Sequence, residues 1–298
     1  TSLIIWDEGP MMNKWYLEAL DRCLRDIRNN DRLFGGITLL IIDFRQTLPV
    51  IPRASRGQIV ASTLRRSHLW SQIEQFTLSQ NLRVVDSSPD FANWLLRVGN
   101  GEVEYVNEDS QFIQLPREIV LPPLSTLSTL EDHVFNQITN GTLFPRNATE
   151  LSERSIEVAL EYYQERAILA SKNKAVRELN ENLLEKLKNS FPRLPQRTYY
   201  STDELDMAEE DRAGGNAVLP TEFLNTIDVP GLTSHKLTLS IGCVVILLRI
   251  NINTSFGLAN GTRLLVTRLQ TNSIRVIIIT GIGRGKEAVI PRVKLSPS

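Results

Sequence analysis

The chain has 298 residues, with 33 Lys and Arg against 34 Asp and Glu, so its formal net charge is −1. Apolar residues make up 42% and charged residues 22%, which excludes a collagen-like, an intrinsically disordered and a disulfide-scaffold protein. At about 100 to 200 residues per domain, the length predicts roughly two domains. The near-neutral charge excludes a uniformly basic surface, but it leaves open nucleic-acid binding through a local basic groove.

The apolar segments are too short to cross a membrane. The longest runs from residue 241 to 248, whereas a membrane-spanning helix needs about 20 apolar residues. No leader peptide opens the chain, and Cys23 and Cys243 are its only cysteines, so we expect an intracellular protein of a reducing compartment with no membrane attachment. Because the chain begins at Thr1, inside an apolar strand pattern, we also expect it to be a fragment.

The N-terminal part predicts a strand–helix–strand unit. A buried strand at Leu3–Trp6 ends in Asp7 and Glu8, a helix follows at about 13–28, and a second strand spans 37–42. Such a unit pairs its strands in parallel, and ligands bind beyond the carboxyl ends of parallel strands. The apolar periodicity predicts a buried helix face made of Tyr16, Ala19, Leu20, Cys23, Leu24 and Ile27.

The rest of the chain predicts helices followed by a β-rich end. After Pro220 the β-rich segments are 237–248, 262–268 and 274–280, and residues 201–216 are an acidic stretch expected to be a solvated loop. The other expected elements are strands at 76–82 and 167–170, and helices at 87–101, near 131–138 and after Asn173.

Three short segments contain residues suited to phosphate chemistry. Asp7 and Glu8 follow the first strand like a Walker B pair, in which one carboxylate holds Mg²⁺ and the next polarises the attacking water. Gln46 lies past the second strand and can contact a γ-phosphate, and Arg83 can stabilise charge on a transferring phosphate. The alternatives are that the two acids begin a helix and that Arg83 is an ordinary surface arginine.

In this order and spacing, the segments resemble the PIF-type DNA helicases, especially the branch associated with Helitron transposons. The similarity spans essentially the whole chain. It is carried by residues 3–11, 18–22, 43–52 (DFRQTLPVIP), 78–83, 167–173, 220–225, 242–249 and 260–264.

The resemblance implies an α/β fold with an incomplete first RecA-like lobe, built on a parallel sheet, over residues 1–75. A second RecA-like lobe with connecting helices and an acidic loop would span 76–235, and a truncated small β-barrel insertion would span 236–298. The implied cofactors are ATP and Mg²⁺. Asp7 would hold the metal, Glu8 would be catalytic, Gln46 would sense the γ-phosphate, and Arg83 would be an arginine finger.

The implied partners are single-stranded DNA and duplex junctions, with no membrane, for a monomer in the nucleus or mitochondrion. The implied processes are DNA repair, recombination, telomere maintenance and transposition. Four arginines follow the segment 43–52, and they are candidates either for contacts with the DNA backbone or for an ordinary solvated face: Arg53, Arg56, Arg65 and Arg66.

The chain departs from the family pattern in four respects. Ile41 and Ile42 replace two glycines before Asp43, and Gly9 stands where the family has Ala. The phosphate-binding pattern G-x-x-x-x-G-K-[ST] is absent, since Gly285-Lys286 has the wrong neighbours and precedes a strand-like segment. The last two family motifs are also absent from these residues.

Two hypotheses therefore remain. In the first, the chain is a fragment of an ATP-dependent DNA helicase that couples ATP hydrolysis to translocation on single-stranded DNA and duplex unwinding. In the second, it is a non-catalytic, transposon-derived relic or nucleic-acid-binding module.

Overall fold

The computed structural model describes residues 2–44, 48–78, 89–107, 112–204, 220–227 and 232–295. These residues belong to two compact units, Thr1–Glu118 and Ile119–Ser298. Each unit has its own hydrophobic core. The domain boundaries expected from the sequence, at 75 and 235, stay predictions.

The first unit begins with the predicted strand–helix–strand arrangement. Strand β1 (Leu3–Trp6), helix α1 (Lys14–Arg28) and strand β2 (Thr38–Ile41) follow one another, with short 3-10 turns at Gly9–Met11 and Leu33–Gly36. β1 and β2 pair in parallel, with Leu3 opposite Thr38 and Trp6 opposite Ile41. The predicted parallel sheet is therefore confirmed.

The predicted buried face of α1 is wrong in part. Leu24 packs against buried residues of the first unit, and Ala19 and Leu20 are half-buried. Tyr16, Cys23 and Ile27 are exposed, however, and the fully buried residues of the helix are Leu17 and Asp21. The reason is a polar anchor that apolar periodicity does not register. Asp21 accepts a hydrogen bond of 2.6 Å from the backbone N–H of Phe34 and one of 3.0 Å from Arg25 Nε, so the helix turns this side inward.

Leu17, Phe34, Leu64 and Leu69 form the core of the first unit. One side of the sheet covers this core, through Trp6, Leu39 and Ile41. Leu3, Ile5 and Leu40 lie on the other side and are exposed. Helix α2 (Arg56–Ser62) begins with a capping box between Ser55 and Gln58, and helix α3 (Pro89–Asn100) confirms the helix predicted at 87–101.

In the second unit, helices precede and cover a β-sheet. α4 (Leu127–Val134) and α5 (Asn136–Thr139) confirm the short helix predicted there, and α7 (Asn173–Ser190) confirms the helix predicted after Asn173. The sequence analysis missed α6 (Glu153–Gln164), although it buries Ala159, Leu160, Tyr162 and Tyr163. A short helix, α8, spans Thr221–Leu224.

The β-rich end contains two antiparallel sheets. β3 (Gln196–Tyr200) pairs with β4 (Lys236–Ser240), and the larger sheet has the order β5-β6-β7-β8. Its strands are Val244–Ile246, Arg263–Leu269, Ser273–Ile278 and Glu287–Pro291. The sequence predicted most of this β content, but β3 was missed.

The larger sheet is buried on both faces. Leu264 and Val266 of β6 pack into one apolar cluster with Leu258, while Leu265 between them packs on the opposite side, against a cluster that contains Phe144 and Phe191. The predicted closed barrel is not observed. Within the described residues, β5 and β8 are the two open edges of the sheet, because no strand pairing joins them.

Two further predicted strands are not observed. Residues 167–170 are irregular, and Leu169 is 93% exposed, because no strand in the described part of the chain lies beside this segment to complete its hydrogen bonds. Residues 76–78 are also irregular, and 79–82 fall outside the described residues, as does most of the acidic stretch 201–216. No helix among the described residues is both long and apolar enough to span a membrane.

A buried acid holds the first helices of the second unit together. Glu131 on α4 is 1% exposed, and its Oε2 lies 2.8 Å from Lys186 Nζ on α7. Asp132 accepts a second hydrogen bond from Lys186 at 2.7 Å, and Asn182 donates one to Glu131 at 3.2 Å. Burial alone lowers the pKa of Lys186, but the hydrogen bonds and charges of Asp132 and Glu131 outweigh it and raise that pKa.

We predict that Lys186→Met destabilises the second unit by about 3 kcal/mol, because it leaves the Glu131 carboxylate buried without a counter-charge. The measurement is amide hydrogen exchange of α4 and α7, which should become faster. The control is Lys174→Met, since Lys174 forms only an exposed pair with Glu178. Equal exchange in the two variants would contradict the role of Lys186.

The contribution of Lys186 to stability should also depend on pH, because its pKa is raised in the folded protein. The contribution is fully present below the pKa that Lys186 has in the unfolded chain. It is lost as the pH rises through the higher pKa of the folded state.

Candidate functional site

The candidate site lies where β1 and β2 end. The parallel pairing continues to the last residue of each strand, with the N–H of Ile42 donating to Trp6 O at 3.1 Å. The next residue after β1 is Asp7, followed by Glu8, and Asp43 follows Ile42. Because the strands are parallel and in register, all three carboxylates emerge at one edge of the sheet.

Two of the three acids have a left-handed backbone. Glu8 has φ 51° and Asp43 has φ 66°. Residues other than glycine rarely adopt this conformation, which costs of order 1–3 kcal/mol and is concentrated at functional sites. At Glu8 it reverses the chain into the 3-10 turn Gly9–Met11, where the N–H of Met11 donates to Glu8 O at 3.1 Å.

The side chains of Asp7 and Glu8 are accessible to a ligand. Both residues are exposed, and Asp7 Oδ1 accepts the backbone N–H of Glu8 at 3.0 Å. Within the described residues, no group of three or more His, Cys, Asp or Glu side chains forms a metal cage. This arrangement fits Mg²⁺, which is commonly bound by one or two carboxylates together with water and phosphate oxygens.

Packed residues support the turn after β2. The centres of the Phe44 and Trp70 rings lie 5.3 Å apart. The guanidinium carbon of Arg65 lies over the same Trp70 ring, 6.0 Å from its centre. Glu18 on α1 holds the segment that contains Arg65 and Trp70, since its Oε1 accepts a 2.8 Å hydrogen bond from Ser67 Oγ. Glu18 and Asp21 belong to a segment that carries the family resemblance, and in the structure both acids stabilise packing. In the sequence, only their place in the segment 18–22 indicated that these two acids matter.

The structure does not bring all predicted site residues together. Gln46 and Arg83 lie outside the described residues, so their roles stay predictions. Lys286 of the rejected Gly-Lys pair lies in the turn between β7 and β8, with its Nζ 4.8 Å from the Phe256 ring. A strand follows it, as the sequence predicted.

Burial raises the pKa of the Cys243 thiol to about 11, so this residue is a poor nucleophile or metal ligand.

A second feature of the first unit is a basic surface. We define it as the four arginines predicted from the sequence together with a lysine that the structure adds: Lys14, Arg53, Arg56, Arg65 and Arg66. All four arginines are exposed, and Lys14 and Arg66 line one shallow cavity of about 340 Å³ beside α2. Trp15 is 61% exposed, with Lys14 Nζ 4.8 Å from its ring. Cations next to an exposed aromatic ring suit single-stranded nucleic acid.

Comparison with known proteins identifies two parts of the chain. Residues 1–109 match the model for PIF1-like helicases, and residues 222–269 match the model for the 2B domain of DNA helicase Pif1. Together these matches cover more than half of the chain. No curated protein is significantly similar to it.

Solved structures show the same fold. Pif1 helicase from Candida albicans is 17% identical, with a TM-score of 0.53, over 97% of this chain and 55% of that one. Bacteroides Pif1 bound to single-stranded DNA is 18% identical, with a TM-score of 0.52, over 98% and 52%. The chain therefore spans about half the length of the structures it matches, and at this identity the likeness supports the fold alone.

The fold agrees with the predicted α/β helicase architecture, apart from the open sheet. The Helitron-associated branch stays a prediction. With two models of one family matched, at the segments that carry the motifs, the chain belongs to the PIF1-like helicase family.

Proposed function

We propose that this chain is part of an ATP-dependent DNA helicase and contributes the acidic edge of its ATPase site. The observation that carries the proposal is the emergence of Asp7, Glu8 and Asp43 at one edge of a parallel sheet, with Glu8 and Asp43 in a left-handed conformation. Ligands of open parallel sheets bind at this edge. In the family, ATP hydrolysis drives unwinding, which gives the acidic edge a chemical role.

The adjacent acids have different tasks in this proposal. Asp7 would hold Mg²⁺, which would supply positive charge for the phosphate oxygens. Glu8 orients and polarises the attacking water, and its left-handed backbone at the turn sets where its side chain leaves the chain. Gln46 senses the γ-phosphate and Arg83 stabilises the transferring charge from the second lobe, as the resemblance implies. These 298 residues contain no lysine-bearing phosphate loop, so the phosphates need a segment beyond them.

Glu8→Gln is predicted to lower ATP turnover by about 10²- to 10⁴-fold, the usual contribution of general acid–base catalysis, while nucleotide binding is retained. The measurement is steady-state ATP hydrolysis, with and without single-stranded DNA, by a polypeptide in which a phosphate-binding loop precedes this chain. The matched control is Glu74→Gln, an exposed glutamate of the same unit. Unchanged turnover in Glu8→Gln would contradict the assignment.

A second candidate function applies to the chain by itself. We infer that it binds single-stranded DNA without hydrolysing ATP. The basic surface and the exposed Trp15 support this function, and so does the missing phosphate loop. Within the described residues, none of its four arginines forms an ion pair with a carboxylate, so their charge is available to phosphate.

The second candidate predicts weak, salt-sensitive binding of single-stranded DNA. Replacing both Arg65 and Arg66 with Ala should make the slope of log K against log salt shallower by about 1.4, since each phosphate contact contributes about 0.7. The measurement is fluorescence anisotropy of labelled oligonucleotide between low and physiological salt. Arg32→Ala is the control, because Arg32 lies beyond the opposite end of α1 from Lys14. An unchanged slope, or micromolar ATP binding by the chain alone, would contradict this candidate.

A further inference from the structure

Gly9 and Ile41 are in direct contact at the acidic edge. A Cβ placed on Gly9 would lie 2.2 Å from Ile41 Cγ2, a distance that non-bonded carbon atoms do not tolerate. The next atoms are Ile41 Cβ and Leu64 Cδ1, both at 3.7 Å, which is ordinary van der Waals contact. The space that an alanine methyl group would fill at position 9 is therefore occupied by one methyl group of Ile41.

This contact joins the two ends that carry the acids. Gly9 directly follows Glu8 and is buried in the 3-10 turn, while Ile41 is the last residue of β2 and lies two positions before Asp43. Ile41 cannot easily move aside. It is β-branched, so its side chain has few rotamers, and its backbone is held by pairing with Trp6.

We propose that Gly9 and Ile41 form a steric lock that fixes the turn after Glu8 against the end of β2. The lock does not rest on the proposed function. The two positions departed separately from the family motif in the sequence. The structure shows that they touch, so the larger residue at 41 accounts for the absence of a side chain at 9.

The sign of the Gly9→Ala effect tests the lock. Gly9 is not among the positive-φ residues, so alanine fits its backbone. Without a clash, alanine would stabilise the fold by restricting the unfolded chain. With the lock, overpacking should instead lower the melting temperature by about 3 to 10 °C. All four tryptophans, at 6, 15, 70 and 94, lie in the first unit, so tryptophan fluorescence during heating of the whole chain reports this unit.

The partner residue then decides whether Ile41 Cγ2 is the cause. In an Ile41→Ala background, Gly9→Ala should lower the melting temperature no further, because the two Cβ atoms would be 3.7 Å apart. In an Ile41→Val background Gly9→Ala should lower the melting temperature by the full amount, since valine keeps both γ-carbons and so the methyl group that clashes. Ile41→Leu offers a second rescuing background of unchanged volume if the alanine variant does not fold.

Gly57→Ala provides the matched glycine control. Gly57 lies on α2, and a Cβ there would meet its nearest atom, Ser55 Oγ, only at 4.0 Å. This substitution should raise the melting temperature, because alanine favours a helix more than glycine does. The lock is overturned if Gly9→Ala also raises the melting temperature, or if its effect is the same in the Ala, Leu and Val backgrounds. Neither result depends on ATP hydrolysis.

Discussion

The parallel pairing of β1 with β2 is the constraint on which the candidate site depends. It continues to the last residue of both strands, so the residues that follow them leave the sheet at the same edge. Glu8 and Asp43 then adopt a left-handed backbone within the first residues after their strands. The left-handed conformation costs free energy at these two acids, and the packing of buried residues of the same unit, such as Leu17 and Leu64, offsets that cost.

The acidic edge would supply only one part of the proposed ATPase site. Its acids are exposed at the end of a parallel sheet, but these 298 residues contain no phosphate-binding loop of the pattern G-x-x-x-x-G-K-[ST]. In the second unit, Tyr163 on α6 donates a 2.9 Å hydrogen bond to Gly242 O, which ties the helices to the four-stranded sheet. Residues 222–269 of that unit match the model for the 2B domain, and the open four-stranded sheet has apolar clusters on both faces.

Local patterns predicted most of the elements, whereas tertiary partners decided the errors. β1, α1, β2 and α7 were found because their periodicity and boundary residues agree. The face of α1 was wrong in part because the helix buries a carboxylate, Asp21, and hydrophobic periodicity counts such a residue as exposed. The strand at 167–170 was wrong because a strand needs a neighbour, which a local pattern cannot supply. Asp7 and Glu8 are predicted site residues from their type and spacing, but the left-handed backbone of Glu8 and the Gly9–Ile41 contact required coordinates.

The central claim is that Asp7 binds Mg²⁺ while its neighbour Glu8 acts on water. The most direct test is the Mg²⁺ dependence of affinity for a non-hydrolysable ATP analogue, measured in a polypeptide with a phosphate-binding loop before this chain. The account predicts that Asp7→Asn loses the difference in affinity between Mg²⁺ and chelator, whereas Glu8→Gln keeps it. If Asp7→Asn keeps the full Mg²⁺ dependence, Asp7 does not hold the metal and the account is contradicted.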